Sequence, residues 1–189
     1  LFNHRSFEKR QNLLIALRLT GLWLVLWLSS CASDAPKAVS FEDCLYGAPE
    51  PIFNESVPGV SHHNFELLPG KGIESFILNG STTISIEQTG CDQLVQQFTF
   101  SWESVPSGAD SRYWAKRAIQ LFGELGQLGA PYLSFSAISD VLSQQQEKLQ
   151  PGDKSIQLQP GLYFKIEQKR KGQKAILIAT LYESPPASG

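Results

Sequence analysis

Apolar and polar residues alternate along several stretches of the chain, most clearly from Ile73 to Gly90, IESFILNGSTTISIEQTG. Ile84 and Ile86 point to one side of an extended segment while Thr83, Ser85 and Glu87 point to the other, the period of a half-buried strand. Asn79-Gly80 divides the run, and that pair favours a tight type I′ turn, so the stretch predicts a β-hairpin. DQLVQQFTFSWE predicts another strand, with Phe98, Phe100 and Trp102 on alternate positions. Three more runs follow near the end: KSIQLQ, GLYFKIEQK and KAILIATLYE. In the second, Leu162, Phe164 and Ile166 alternate with Tyr163, Lys165 and Glu167, and RKGQ joins it to the third as a hairpin.

Between the two groups of strands the period changes. Trp114, Ala118, Leu121, Phe122 and Leu125 recur at helical spacing behind Asp110, a residue suited to an N-cap. Gly126 and Gly129 are expected to weaken the end of this helix and Pro131 to stop it. A second helix is expected over about 136–149, with Ile138, Val141, Leu142 and Leu149 as its apolar positions. Strands, two helices, then strands is the order of an α+β domain. The expectation is a mainly antiparallel sheet of about five or six strands with both helices on one face.

Upstream, the pattern is absent. Residues 32–64 are rich in Pro, Ser, Ala and Gly, and Pro36, Pro49, Pro51 and Pro58 exclude a long helix and discourage a central strand. Residues 31–40 read as a tether, 41–64 as irregular chain lying on the domain, 65–184 as the α+β domain and 185–189 as a disordered tail. No internal repeat occurs.

Charge separates the first thirty residues from the rest. They carry four basic side chains, Arg5, Lys9, Arg10 and Arg18, against Glu8, a net of +3, whereas the remainder holds 12 basic and 17 acidic side chains, a net of −5. A basic head on an acidic body fits an export signal better than a nucleic-acid protein, which would carry a basic domain, so no nucleic-acid partner is expected. The basic stretch precedes an apolar segment, Leu19–Leu28, too short for an ordinary spanning helix of about 20 residues. Two small residues, Ser29 and Ser30, then precede Cys31, which completes the plan of a secretory signal peptide over 1–30.

Leu28-Ser29-Ser30-Cys31 resembles the lipobox of bacterial lipoproteins. The resemblance covers only the leader and its junction. It implies that a diacylglyceryl group is attached to the Cys31 thiol and that cleavage leaves Cys31 as the first residue. Each buried methylene contributes about 0.8 kcal/mol, so two or three acyl chains anchor stably where one does not. It also implies that Ala32 and Ser33, in place of an Asp directly after Cys31, direct the protein to the periplasmic face of the outer membrane of a Gram-negative host. An exported compartment is oxidising, so the remaining cysteines, Cys44 and Cys91, are expected to form a disulfide.

Recognisable chemistry is sparse. His62 and His63 are adjacent in an expected loop, where neighbouring side chains point apart, and a metal would need a third ligand such as Glu66. The sequence has no CxxC, HExxH, G-x-S-x-G, P-loop or dinucleotide fingerprint. Cys91 beside Asp92 would be a possible nucleophile, but the disulfide accounts for it more simply. Glu66, Glu74, Glu87 and Glu103 lie in or near strands without a spacing that singles out a catalytic pair, and they read as exposed alternating strand positions. No catalytic residue, metal or cofactor is therefore assigned. One constellation stands out: Lys165, Lys169, Arg170, Lys171 and Lys174 gather at the C-terminal hairpin of an otherwise acidic domain. They read either as a contact for an anionic lipid head group, glycan or acidic protein face, or as a solvated turn whose lysines protect a strand edge. The expected function is a membrane-anchored, non-catalytic binding module for an envelope protein or anionic glycan. The alternative is an envelope-polymer hydrolase, for which His62 and Glu66 would be the residues to probe.

Overall fold

The structure is a computed structural model that describes residue 41 and residues 44–184. The leader, Cys31, the tether and the tail at 185–189 lie outside the described residues. Seven strands form one antiparallel sheet, one strand larger than the upper expectation: β1 (Val60–Leu68), β2 (Lys71–Leu78), β3 (Thr82–Thr89), β4 (Val95–Glu103), β5 (Ile156–Gln159), β6 (Leu162–Lys171) and β7 (Lys174–Glu183). Their order across the sheet is β1-β2-β3-β4-β7-β6-β5. Helices α1 (Ser111–Gly126) and α2 (Leu133–Gln144) fall between β4 and β5, joined by a 3-10 turn over Ala130–Tyr132. The class is α+β, as the pattern predicts.

Alternation decides what each face of the sheet carries. Phe76 and Leu78, Ile84 and Ile86, Phe98 and Phe100, Phe164 and Ile166, and Leu177 and Ala179 all point to one side and are fully buried or nearly so. Both helices close that side. Phe122 of α1 meets Phe98 and Phe164 edge-on at centroid distances of 5.3 and 5.4 Å, and Phe135 of α2 meets Phe98 at 5.7 Å. The Asn79-Gly80 turn has both residues at positive φ, 50° and 68°, and the Ser81 amide donates to the Leu78 carbonyl at 3.2 Å, as the type I′ reading requires.

Three elements differ from expectation, each for a local reason. First, β1 begins at Val60, within the stretch read as irregular. Its register slips between Ser61 and Asn64, a bulge with His62 at φ 53°. The extra residue shifts the parity of the strand: Val60 faces the core, but His63 and Phe65 follow it there, so the alternation cannot be read through. Second, α2 starts at Leu133 because the Pro131 turn leads directly into it, and it ends at Gln144. Leu149, read as helical, lies beyond that end but is still buried.

Third, Gly126 is the last residue of α1, where the helix is expected to weaken, but it is also a packing contact. A Cβ there would lie 2.1 Å from Ser136 Oγ and 2.4 Å from the Ser136 amide nitrogen, and one on Gly123 would lie 3.3 Å from Ser139 Oγ. The two glycines and two serines form the seam along which α1 and α2 approach. Ser139 Oγ seals it by donating to the Ile119 carbonyl at 2.8 Å. Gly126→Ala is therefore expected to destabilise the domain by about 1–3 kcal/mol despite alanine's better helix propensity, read as a lower urea midpoint. An unchanged or raised midpoint would show that the seam has slack.

Candidate functional site

The Pro-rich segment is the part of the chain that sequence patterning leaves unexplained, and the structure ties it to the sheet at four points. Cys44 and Cys91 form the expected disulfide, with Cα atoms 4.5 Å apart. Tyr46 follows: its hydroxyl donates to both carboxylate oxygens of Glu183, at 2.8 and 2.7 Å, while Glu183 also accepts from the Leu94 amide at 3.2 Å. The hydrogen bond to Glu183 holds the Tyr46 hydroxyl proton above the ordinary tyrosine range, with desolvation and the carboxylate charge acting in the same direction. Next, Gln88 Nε2 donates to the Glu50 carbonyl at 2.7 Å.

The fourth attachment is Glu74. Its side chain is fully buried, because Glu74 shares the core-facing parity of Phe76 and Leu78 on β2. Its Oε2 accepts from the Ile52 amide at 2.8 Å and its Oε1 from the Phe53 amide at 2.7 Å. His63 Nε2 lies 2.8 Å from the same Oε1, and the imidazole is itself largely buried. Two backbone amides and the His63 imidazole thus converge on one carboxylate, and the Phe53 ring, 1% exposed, stacks on Tyr132 at 4.8 Å. A buried carboxylate that accepts two backbone amides holds that backbone in place.

The residues singled out for catalysis in the sequence, His62 and Glu66, are both exposed on β1, while the pair that does meet is His63 with Glu74. Glu87 pairs with Lys71 at 3.2 Å and Glu103 with Lys174 at 3.5 Å. Among the described residues no group of three His, Cys, Asp or Glu side chains could hold a metal ion. A broad depression beside the N-terminus of α1, with Asp110, Arg112, Glu147 and Lys148 in its lining, mixes both signs of charge and converges on no single group.

The basic constellation divides. Lys165 and Lys171 are six residues apart on one strand, about 20 Å, so the five side chains do not form one pocket. Lys165 pairs with Glu167 at 3.2 Å and Lys174 with Glu103, both at the surface. Lys169, Arg170 and Lys171 stay exposed, with no ion-pair partner among the described residues. β5 pairs only with the Leu162–Phe164 end of β6, so these three lie on a stretch of strand edge that no strand among the described residues covers.

The sheet face away from the helices carries Ser75, Ser85, Thr99 and Ile178 in one row across four strands, with Ile73, Glu87, Gln97 and Thr180 in the next. Tyr163 and Tyr182 stack on that face, 5.7 Å between centroids. No helix among the described residues packs on it. No protein-family model matches the sequence, no curated protein matches it, and no solved structure matches its fold.

Proposed function

We infer that the protein is a lipid-anchored lipoprotein of the bacterial envelope whose α+β domain is a non-catalytic binding module for an envelope protein or glycan. The observation that supports the binding role is the asymmetry of the sheet: one face is sealed by two helices, and the other carries a mixed surface of Ser, Thr, Ile and Tyr with Glu, Gln and Lys side chains, without a covering helix among the described residues. A binding surface needs that combination of a rigid scaffold and a free face. The anchoring role is supported by Leu28-Ser29-Ser30-Cys31 following the basic and apolar parts of the leader. In this reading Cys31 carries the lipid, and Ala32-Ser33 places the protein on the periplasmic face of the outer membrane.

Cells fed radiolabelled palmitate test the anchor: wild type is expected to label and Cys31→Ser not to. Equal labelling of the two defeats it. A photoreactive amino acid at Thr99, in the middle of the open face, tests the surface. It is expected to give a discrete adduct in cells that the same group at exposed Ser134 on α2 does not give. Identical adducts from both positions, or none from Thr99, would remove the binding role from this face.

A further inference from the structure

We propose that the free half of β6, Gln168–Lys171, receives an extended acidic peptide as an added strand. The proposal rests on the reading of the domain as a binding module and names the chemistry of the partner. β6 has ten residues, and its outer edge is occupied only near its start: Ile156 pairs with Phe164, and beyond it the Gly152 amide donates to the Ile166 carbonyl at 2.9 Å. Those two contacts establish which residues turn their backbone groups outward. The register with β7 continues unbroken from Leu162 to Lys171, so the even-numbered residues keep facing the edge. Gln168 and Arg170 therefore present two amides and two carbonyls away from β7, with no partner among the described residues. This free stretch is about 13 Å long, room for a short strand.

The side chains around it select the partner. Lys169 and Lys171 project on the open face, Arg170 on the helix side, and Lys174 sits directly across from Lys171. Lysines on an edge usually guard against pairing, and here they guard against one partner in particular. A second copy of this chain, added edge to edge, would set these cations against their own counterparts. An acidic strand meets the reverse: its carboxylates face Lys169, Arg170 and Lys171, cations with no ion pair among the described residues. The same residues thus exclude self-association and favour an oppositely charged segment, specificity obtained by repulsion and attraction together. Main-chain hydrogen bonds supply the affinity in this mode of recognition and side chains the choice.

The test uses the full-length chain in detergent and a ten-residue peptide alternating Glu and Thr, with binding followed by calorimetry and by amide resonances of β6. The peptide is expected to bind, to shift the Gln168 and Arg170 amides most, and to lose about tenfold or more in affinity when its alternate amides are N-methylated, a change that removes hydrogen bonds and leaves charge intact. The peptide with Lys in place of Glu is expected not to bind. Equal binding of the methylated and unmethylated peptides overturns strand addition and leaves a charge contact only, as does failure of the acidic peptide to bind. Gln168→Pro, an exposed edge position, is expected to abolish binding; the peptide arm remains decisive if that variant folds poorly. Palmitate labelling and crosslinking from Thr99 report on the anchored binding module independently, so a negative peptide result overturns this partner without overturning that role.

Discussion

Glu74→Ala is expected to cost about 3–5 kcal/mol of unfolding free energy, read as a lower urea midpoint with the slope little changed. The size follows from what the carboxylate does. It accepts from the amides of Ile52 and Phe53 and lies in hydrogen-bond contact with His63, and it is fully buried. Truncation leaves three donors without an acceptor, and each buried orphan costs about 1–3 kcal/mol. Ile52 is only partly buried, so water can satisfy its amide, which keeps the total below the simple sum. Glu74→Gln keeps the volume but offers a donor where a donor already points, so it is expected to lie between alanine and wild type. His63→Ala removes one partner of three at a largely buried site and is expected to cost about 1–2 kcal/mol. Hydrogen exchange gives the local readout: the Ile52 and Phe53 amides should lose protection in Glu74→Ala before the strand amides of β3 and β4 do. A variant with a wild-type midpoint and wild-type protection at residues 52 and 53 would show that Glu74 is not what holds the segment.

Glu74 also shows how much of the site was legible. Strand parity puts Glu74 on the same side as Phe76 and Leu78, so its burial follows only once the structure shows that those two face the core; by itself the sequence reads Glu74 as one more exposed strand carboxylate. Its partners are not legible either. Two are backbone amides in a Pro-rich stretch with no periodicity, and the third depends on a bulge that exchanges the outward and inward roles of His62 and His63. The strands from β2 onward, both helices and the hairpin turns follow from local pattern because each buries one face against the same core. Gly126 reads in one dimension only as the weakened end of a helix, which it is; the facing Ser136 shows that it is also a close approach between helices. The basic run could be seen in the sequence, but not its place on an uncovered edge, which depends on β5 being four residues long where β6 has ten. Leader and lipobox are legible only as motifs, and they lie outside the described residues.

Phe53→Ala is the sharper test of whether the Pro-rich segment belongs to the domain or merely lies on it. A surface segment predicts a change within about 0.5 kcal/mol. The structure predicts about 3–5 kcal/mol, because Phe53 is 1% exposed and its ring packs at 4.8 Å from both Phe76 and Tyr132 and at 5.8 Å from Phe135. The ring thus fills the junction of β2, the 3-10 turn and α2. Repeating the substitution in a Cys44→Ser, Cys91→Ser background shows how the segment is held. The disulfide lies nine residues before Phe53 and is bonded to the β3–β4 loop, whereas Phe53 is held by Glu74 on β2. Two independent attachments predict that the Phe53→Ala cost survives loss of the disulfide to within about 0.5 kcal/mol. A cost that collapses once the disulfide is gone would mean that the segment leaves as one unit and that Glu74 alone cannot retain it. Residues 44–58 would then be a strap secured by Cys44 rather than part of the core.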